Sequence, residues 1–409
     1  MINYFETKSQ PITLFMVLRA YKEVRANKGS GGVDKMTWEE LDSNPFKYLY
    51  KLWNRLSSGS YFPQPVKEVE IKKKDGGIRK LGIPTLLDRI AQQVVRAYLE
   101  AKLDPLFHSD SYAYRKGYSA HQAISKAQER ILNHDWVIDL DIRKFFDTID
   151  HELMLKALKH YCKDKWVHLY VERWLKAGIV TKAGIEIDSM TGTPQGGVIS
   201  PLLANLFLHV AFDRWMQQTH PDKPFERYAD DIVVHCKTDK QSKYVLKQIV
   251  QRLIKCKLTL HSEKTKIVNL RGISKEKYPR SFDFLGYTIL PKWTFLKSSQ
   301  RYKLMPKATM SRQSKSSVFE KLRKMQIHKI RKPIEKLAEE LRPVLQGVIN
   351  YYCKFGVYYT YRFWYQVNQR LLKWVNWEKG LGLGKAIRWL REVWKRSPNL
   401  FPHWKLVHP

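Results

Sequence analysis

Cysteines, acidic residues and long apolar runs are all scarce in this chain of 409 residues. Its four cysteines lie far apart, with no C-x-x-C pair and no paired histidine spacing, which argues against a zinc ribbon, a cysteine-ligated HNH nuclease and a disulfide scaffold. No apolar run reaches the roughly 18 residues of a membrane span, and the N-terminus MINYFETKSQ lacks a signal-peptide pattern. We therefore expect a soluble protein in the reducing cytoplasm, with no membrane partner.

Positive charge dominates instead. Lys and Arg number 73 against 39 Asp and Glu, a formal net charge of +34, which indicates a polyanionic partner. Residues 292–409 carry 26 Lys and Arg against 6 Asp and Glu, and they interleave cations with aromatic rings, as in YYCKFGVYYTYRFWYQ at 351–366. Basic surfaces with rings suit RNA and single strands. The alternative for most of these rings is the core of a helical region.

The segment FERYADDIVVHC, residues 225–236, contains two adjacent carboxylates, Asp230 and Asp231. The runs on either side are β-branched and aromatic, and Ala229-Asp230 can form a tight turn, so the segment predicts a β-hairpin with acids at its tip. Neighbouring carboxylates repel each other, and bound cations relieve that repulsion. Chance alone produces acid–acid neighbours in such a chain, so the pair by itself is weak evidence for a metal site.

A further carboxylate is offered upstream, in WVIDLDIRKFFDTID at 136–150. Residues 136–142 predict an apolar strand with Asp139 and Asp141 on one face. Acids in such a strand are costly to bury unless they bind a metal or a partner; the alternative is an edge strand with solvated acids.

The segment TGTPQGGVISPLLANLFL at 191–208 joins a Gly/Pro turn to an apolar helix that begins near Ser200. Its glycines would let the backbone approach a base or sugar closely.

Six segments, in order across residues 71–289, resemble the successive blocks of a reverse transcriptase of the bacterial group II intron type. They are IKKKDGGIRKLGIPT, DLDIRKFFD, TPQGGVISPLLANL, YADD, LTLHSEKTKI and FDFLGYTI. The YADD tetrad alone is a weak signal, whereas six ordered blocks are specific. ANKGSGGVDKMTWEEL at 26–41 resembles the N-terminal extension of intron-encoded enzymes, and GVINYYCKF at 347–355 with RSPNLFPHW at 396–404 resembles their thumb and maturase region.

The resemblance implies an α+β right-hand polymerase, with fingers and palm followed by an α-helical thumb/maturase (X) region. We expect the N-terminal extension in residues 1–60, fingers and palm in 61–295, and the thumb/maturase region in 296–409. The DNA-binding and endonuclease segments of longer members are not expected, since the chain stops at Pro409. Within the last region, the polar run from Lys307 to Ser317 predicts a linker or mobile loop, and the helical pattern at 334–354 predicts a helix interrupted by Pro343.

The resemblance also implies the catalytic residues. Three carboxylates would hold two Mg²⁺ ions (or Mn²⁺): Asp141, Asp230 and Asp231. The backbone carbonyl of Ile142 would be a further metal ligand. Asp141 is preferred to Asp139 because the family's catalytic acid precedes an aromatic gate by five residues, and that spacing leads to Phe146.

The remaining roles concern the incoming nucleotide. Phe146 would exclude the ribose 2′-OH by its bulk, with Phe145 as the alternative gate, and Gln195 would pack against the nucleotide. Lys73 and Arg79 flank the Asp-Gly-Gly hairpin turn and would bring two cations to the triphosphate. Lys264 is the candidate general acid for pyrophosphate departure; the alternative is an ordinary surface lysine.

The predicted function is RNA-directed DNA polymerisation for a group II intron, with assistance to its splicing. The partners would be an RNA template, a DNA or RNA primer, dNTPs and group II intron RNA; the oligomeric state is left open. One alternative is a domesticated polymerase of DNA repair or phage defence. Another is a splicing-assisting RNA-binding protein with a dispensable polymerase, against which the intact acids argue.

Overall fold

The computed structural model describes residues 3–72, 76–271, 278–296, 300–327 and 331–409. The chain forms two compact units. Unit 1 comprises Met1–Ala123 and Ile138–Lys266, and unit 2 comprises Ile124–Val137 and Ile267–Pro409. Each unit is therefore built from two separate stretches of chain.

Helices and strands alternate irregularly along the chain. The helices are α1 (Leu14–Ala26), α2 (Trp38–Ser43), α3 (Pro45–Ser58), α4 (Leu86–Leu103), α5 (Ala120–Ile131), α6 (Phe145–Thr148), α7 (His151–Tyr161), α8 (Lys165–Leu175), α9 (Ser200–Leu208), α10 (Arg214–Thr219), α11 (Asp239–Lys255), α12 (Arg312–Lys324), α13 (Ile334–Tyr352), α14 (Tyr361–Lys379) and α15 (Leu383–Arg396). The strands are β1 (Val66–Lys72), β2 (Ile78–Ile83), β3 (Trp136–Asp141), β4 (Ile179–Val180), β5 (Glu186–Ile187), β6 (Phe225–Tyr228), β7 (Asp231–Cys236), β8 (Lys266–Asn269), β9 (Phe282–Phe284), β10 (Tyr287–Leu296) and β11 (Arg301–Met310). The α+β class expected from the sequence is confirmed.

Two sheets carry Arg79, Asp141 and Asp231, three of the predicted site residues. In the first, of order β2-β1-β4-β5, β1 and β2 form an antiparallel hairpin whose outermost described pair is Lys72 with Ile78. In the second, of order β6-β7-β3-β8, β6 and β7 are antiparallel and Tyr228 pairs with Asp231. Val137, Ile138 and Leu140 of β3 are buried, as the apolar pattern predicts.

The helices of unit 1 begin where the sequence supplies caps. The Thr85 side chain accepts a hydrogen bond from the Asp88 backbone N–H at the start of α4, which satisfies one of the free N–H groups of a helix terminus. Pro201 occupies the first turn of α9, whose side chains are almost all buried. A π-helical turn, His209–Asp213, follows α9 directly.

Unit 2 combines the sheet β11-β10-β9 with helices α12 to α15. The apolar side chains of α13 recur at helical spacing and pack with those of α14 and of the C-terminal residues 401–407 in one core. Trp364, Trp374 and Trp404 belong to this core, whereas Tyr358 and Trp377 are exposed. The interleaved rings thus divide between core and surface.

Two local predictions for unit 2 were wrong. The polar run at 307–317 is neither a linker nor a loop, because β11 continues to Met310 and the Ser311 side chain caps α12 by accepting from the Ser314 N–H. Pro343 lies inside α13 without ending it. Its cost of about 3 kcal/mol is offset by burial of Leu337, Leu341 and other apolar residues of the same helix.

Within the described ranges, no helix combines the length and the apolarity that crossing a bilayer requires.

Candidate active site

The turn between β6 and β7 presents the acidic pair. Only Ala229 and Asp230 separate the paired residues Tyr228 and Asp231, so the hairpin predicted from the sequence is confirmed. Ala229 adopts the left-handed region with φ 57°, which costs a residue with a Cβ about 1 kcal/mol. Some other interaction must therefore hold this turn.

A buried network beneath the turn supplies that interaction. The fully buried Arg227 donates to both carboxylate oxygens of Asp213, at 2.7 and 2.6 Å, and to the carbonyl oxygen of Ala229 at 3.3 Å. It also donates to Asn205 Oδ1 at 3.0 Å, and Asn205 Nδ2 donates to the carbonyl oxygen of Ala113 at 2.7 Å. A bidentate guanidinium–carboxylate pair is strong and directional. Sequence reasoning missed this network, since its members are distant along the chain.

Asp141 and Asp230 face the same cavity of unit 1, which has a volume of about 880 Å³. Burial raises the pKa of Asp230, and the negative charge of Asp141 raises it further, while Arg79 and Lys264 oppose the shift. The Lys264 Nζ lies 3.5 Å from Asp141 Oδ2. The sequence-predicted Asp141, Asp230, Arg79 and Lys264 therefore share one electrostatic environment.

Backbone contacts hold the main chain at Asp141 in place. The His261 N–H donates to the Asp141 carbonyl oxygen at 2.8 Å, and Ile142 forms a β-bridge with Leu260. Ile142 is buried and lines the cavity. Asp139, the alternative acid, is half-buried and does not line it.

The donor set suits a hard divalent cation, because carboxylate oxygens are the ligands that Mg²⁺ and Mn²⁺ prefer. The repulsion between Asp141 and Asp230 is the kind that such a cation relieves. Asp231 follows directly as the first residue of β7 and is not among the cavity-lining residues. Among the residues that the structure describes, no three His, Cys, Asp or Glu side chains are grouped closely enough to hold an ion.

Helix α6 brings both candidate gate rings to the cavity wall. Lys144 precedes it in the left-handed conformation, with φ 47°. Phe145 is only 1% exposed and contacts Phe207 of α9, with ring centroids 6.4 Å apart. Phe146 is 8% exposed. Phe145 is thus committed to the core, and Phe146 is the more accessible ring.

The loop at 191–197 lies directly against α6. The Thr193 N–H donates to the Phe146 carbonyl oxygen at 2.8 Å. Gly192 has φ 84°, and a Cβ there would lie 2.7 Å from the same oxygen. A larger residue would therefore meet both backbone strain and a collision. The glycines of this loop were predicted to let the backbone approach a base or sugar; the close approach that Gly192 makes here is to the backbone of α6.

Gln195 links this loop to the β1–β2 hairpin. Its Nε2 donates to Asp147 Oδ1 at 2.8 Å, and its Oε1 accepts from Arg79 Nε at 2.5 Å. The structure thus joins two sequence-predicted residues with a third, Asp147, that sequence reasoning missed although it follows the Phe pair directly. Lys73, the other predicted triphosphate ligand, lies outside the described residues.

A second buried hub supports the far end of the loop. The buried Asp88 accepts hydrogen bonds from the Tyr61 hydroxyl and Trp174 Nε1, both at 2.8 Å, and from Gln92 Nε2 at 2.9 Å. The Oε1 of Gln92 accepts from the N–H of Val198 at 2.8 Å and, more weakly, from that of Ile199 at 3.3 Å. Burial raises the pKa of Asp88 to about 6. No local pattern of residues signals this hub.

Tyr114 is a further neighbour of Asp230 that the sequence did not reveal. Its backbone is left-handed, with φ 59°. Burial raises the pKa of its hydroxyl, and the charge of Asp230 raises it further.

Two family models match this chain. Residues 71–289 match reverse transcriptase (RNA-dependent DNA polymerase), and residues 315–379 match the maturase-specific domain of group II introns. The first match covers more than half of the chain, which therefore belongs to the reverse transcriptase family. The second identifies it as the group II intron reverse transcriptase/maturase type, as the resemblance implied. The mixed architecture is consistent with fingers and palm followed by a helical thumb.

Individual relatives agree with this assignment. A protein of Saccharomyces cerevisiae named for COX1/OXI3 intron 1 is 31% identical over 274 residues, covering 66% of this chain and 32% of its own. Protein YkfC of Escherichia coli is 30% identical over 298 residues, covering 64% of this chain and 76% of its own. Group II intron-encoded protein LtrA of Lactococcus lactis subsp. cremoris is 34% identical over 193 residues, covering 46% and 32%. The matched part is thus about a third of the yeast protein and of LtrA.

Proposed function

We propose that this protein is an RNA-directed DNA polymerase that copies an RNA template from a DNA or RNA primer and assists the splicing of a group II intron. The observation that carries the proposal is the shared cavity of Asp141 and Asp230, with Phe146, Gln195 and Arg79 on its walls. Residues 1–60 would form the N-terminal extension, 61–295 the fingers and palm, and 296–409 the thumb/maturase region.

Asp141, Asp230 and Asp231 would hold the divalent cations, Mg²⁺ in the first instance, with the Ile142 carbonyl oxygen beside them. Two such cations supply activation of the attacking 3′-hydroxyl and neutralisation of charge on the departing pyrophosphate. The left-handed Ala229 turn, held by Arg227, keeps Asp230 in place without reorganisation.

The other cavity residues would handle the nucleotide. Arg79, now hydrogen-bonded to Gln195 Oε1, would transfer guanidinium hydrogen bonds to the triphosphate. This would free Gln195 Oε1 for the nucleotide, while Gln195 Nε2 keeps its bond to Asp147. The Phe146 ring would exclude a ribose 2′-OH. Lys264, an exposed ammonium 3.5 Å from Asp141, would donate a proton to the leaving pyrophosphate.

The Asp230→Asn/Asp231→Asn double variant tests the catalytic assignment. Primer extension on poly(rA)/oligo(dT) with Mg²⁺ should be abolished, while RNA affinity stays within a few fold, because phosphate neutralisation elsewhere carries the binding. Asp222→Asn, an exposed acid away from the cavity, is the control and should extend primers normally. Undiminished synthesis by the double variant would overturn the assignment.

The splicing role is supported by the charge of the C-terminal region. Arg362, Lys373 and Lys385 are exposed, whereas Arg370 packs over the Phe319 ring at 4.2 Å and is half-buried. Replacing the three exposed cations with glutamine should weaken binding to intron RNA. It should also flatten the salt dependence by about one unit of log–log slope for each phosphate that is no longer neutralised. Arg370→Gln should instead cost stability, because its stem no longer packs on the ring.

Lys51, Lys156 and Lys159 are exposed lysines of unit 1, and their replacement gives a control with the same reduction of charge. If both triple variants flatten the salt dependence equally, the C-terminal cations have no special part in RNA binding. The genomic neighbourhood of the reading frame is a further test. Flanking intron RNA domains would favour the intron role, and their absence would favour the repair or defence alternative.

A further inference from the structure

The β10–β11 hairpin of unit 2 is a two-stranded ribbon over most of its length. The strands pair from Tyr287 with Met310 out to Leu296 with Arg301. Strand β9 pairs with only residues 287–289 of β10. Beyond residue 289, no third strand in the described part of the chain joins the ribbon. Two-stranded ribbons bury little of their own surface, so whatever covers the two faces of the outer part must come from outside the ribbon.

One face of this outer ribbon is aromatic. Side chains two residues apart lie on the same face of a strand, so Trp293 and Phe295 share a face. Their cross-strand partners are Leu304 and Tyr302. The rings of Phe295 and Tyr302 lie 5.2 Å apart. Trp293 is 71% exposed, Phe295 44% and Tyr302 69%. We call Trp293, Phe295 and Tyr302 the ring face.

The same face is covered nearer the base of the ribbon. Pro291, Leu304 and Pro306 border a small cavity whose other walls include Ile131 of α5 and Leu270. Gln128 Nε2 of α5 donates to the Pro306 carbonyl oxygen at 3.2 Å. An apolar row thus begins under α5 and continues outward into the ring face. The rings are exposed although the base of the ribbon is covered, so their exposure does not come from a ribbon that projects freely along its whole length.

The charge of the ribbon decides between occupants of the ring face. Residues 287–310 include five Lys and Arg and no Asp or Glu. On the opposite face, Lys292 Nζ lies 4.5 Å from the Tyr359 ring centroid. Burial lowers the pKa of Lys292, and the nearby charges of Lys315 and Arg362 lower it further. A second copy of this ribbon would add positive charge to positive charge, whereas a polyanion with flat groups would satisfy both rings and cations.

We propose that the ring face stacks unpaired bases of single-stranded RNA, while the cations of the ribbon, which the same alternation places on its opposite face, attract the phosphates electrostatically. The proposal deepens the function proposed above, on which it rests for the choice of RNA. Three rings on one face, two of them in contact, can accept neighbouring bases without reading their sequence. The ribbon would then contribute to holding the single-stranded RNA template, apart from any part in the chemistry.

The Trp293→Ala/Tyr302→Ala double variant tests this assignment in the full-length protein. Binding of a 12-nucleotide oligo(U) and of a blunt RNA duplex would be measured by fluorescence anisotropy across a salt series. Oligo(U) affinity should fall about 5- to 140-fold for each ring that stacks a base. The salt slope should stay constant, because the rings carry no charge. Duplex affinity should change far less.

Three variants sharpen the result. Trp293→Phe/Tyr302→Phe keeps flat rings and should restore most of the oligo(U) affinity. Lys303→Gln, on the same ribbon, should instead reduce the salt slope. Phe5→Ala removes an aromatic of unit 1 that is 69% exposed and should leave binding unchanged.

Unchanged oligo(U) affinity in the alanine double variant would overturn the proposal. So would an equal decrease for oligo(U) and duplex, or a sedimentation shift from dimer to monomer with no effect on RNA, which would assign the ring face to a second copy. Primer extension on a pre-annealed substrate separates the two proposals. If the alanine variant binds oligo(U) normally and still extends primers, only the ring-face proposal is overturned and the polymerase proposal stands. If the Asp230→Asn/Asp231→Asn variant extends primers, the polymerase assignment fails whatever the ring face does.

Discussion

Replacing Asp88 with asparagine tests how unit 1 holds the loop that carries Gln195. Asp88 accepts a hydrogen bond from the Gln92 Nε2, which leaves the Gln92 Oε1 for the Val198 N–H. Asparagine replaces one acceptor oxygen with an NH₂ group. If that group faces Gln92, two donors oppose each other; if Gln92 rotates its amide, a donor then faces the Val198 N–H. Either arrangement leaves a buried donor unpaired, which costs about 1–3 kcal/mol.

The pH dependence of this cost follows from the pKa of Asp88, which burial raises from 3.8 to about 6. Because the folded-state pKa is the higher one, the native protein binds more protons than the unfolded chain between these values. Proton uptake by Asp88 therefore stabilises the folded protein most at acid pH, and this stabilisation is lost as the pH rises through the folded-state pKa. With these two pKa values it falls by about 1.4 kcal/mol between pH 5 and pH 7.5. The asparagine variant cannot titrate and lacks this change.

Urea unfolding of wild type and Asp88→Asn at pH 5.0 and 7.5 measures both effects. The variant should be less stable at both pH values. The difference in free energy of unfolding between wild type and variant should be about 1.4 kcal/mol larger at pH 5.0 than at pH 7.5. Hydrogen exchange at the Val198 amide should quicken in the variant. Asp188→Asn, an exposed acid of the same unit, should change neither quantity. A deficit that is equal at both pH values, with unchanged exchange at Val198, would refute the reasoning.

Phe146→Val should raise incorporation of ribonucleotides relative to deoxyribonucleotides, measured by primer extension with each substrate. Relaxed selection in Phe145→Val instead would assign the gate to the neighbouring ring. Asp213→Asn should lower the free energy of unfolding by about 3–5 kcal/mol, because it leaves Arg227 charged and buried without its carboxylate. In the same urea titration Asp164→Asn, which breaks the exposed pair with Lys102, should cost about 1 kcal/mol or less; equal costs would contradict the role given to the buried pair.

Local sequence patterns predicted the parts of the site that are set by residues close together in the sequence. A two-residue turn between apolar runs predicted the hairpin with Asp230, and alternation predicted the strand that ends at Asp141. These features follow from strand periodicity and turn chemistry, which act over a few residues. The α+β class was implied by the resemblance to a reverse transcriptase.

Contacts between distant residues could not be predicted in this way. Gln92 and Val198 are 106 positions apart, and Arg79 and Gln195 are 116 apart; no periodicity connects such pairs. The linker predicted after Pro306 failed because polar composition outweighed cross-strand pairing, which only the fold supplies. Pro343 was misjudged for the related reason that tertiary burial of α13 compensates a local defect.

The division of each unit into two stretches of chain constrains how the protein is made and how it can be cut. Residues 124–137 leave the ribosome early, yet their packing partners in unit 2 begin only at Ile267, after the whole of 138–266 has been synthesised. They must wait for those partners while unit 1 completes. A fragment that starts at Ile267 lacks Gln128 and Ile131, which support the base of the β10–β11 ribbon. A protease that cleaves once after Lys266 should therefore yield two pieces that remain associated, and gene fragments divided there should work better together than apart.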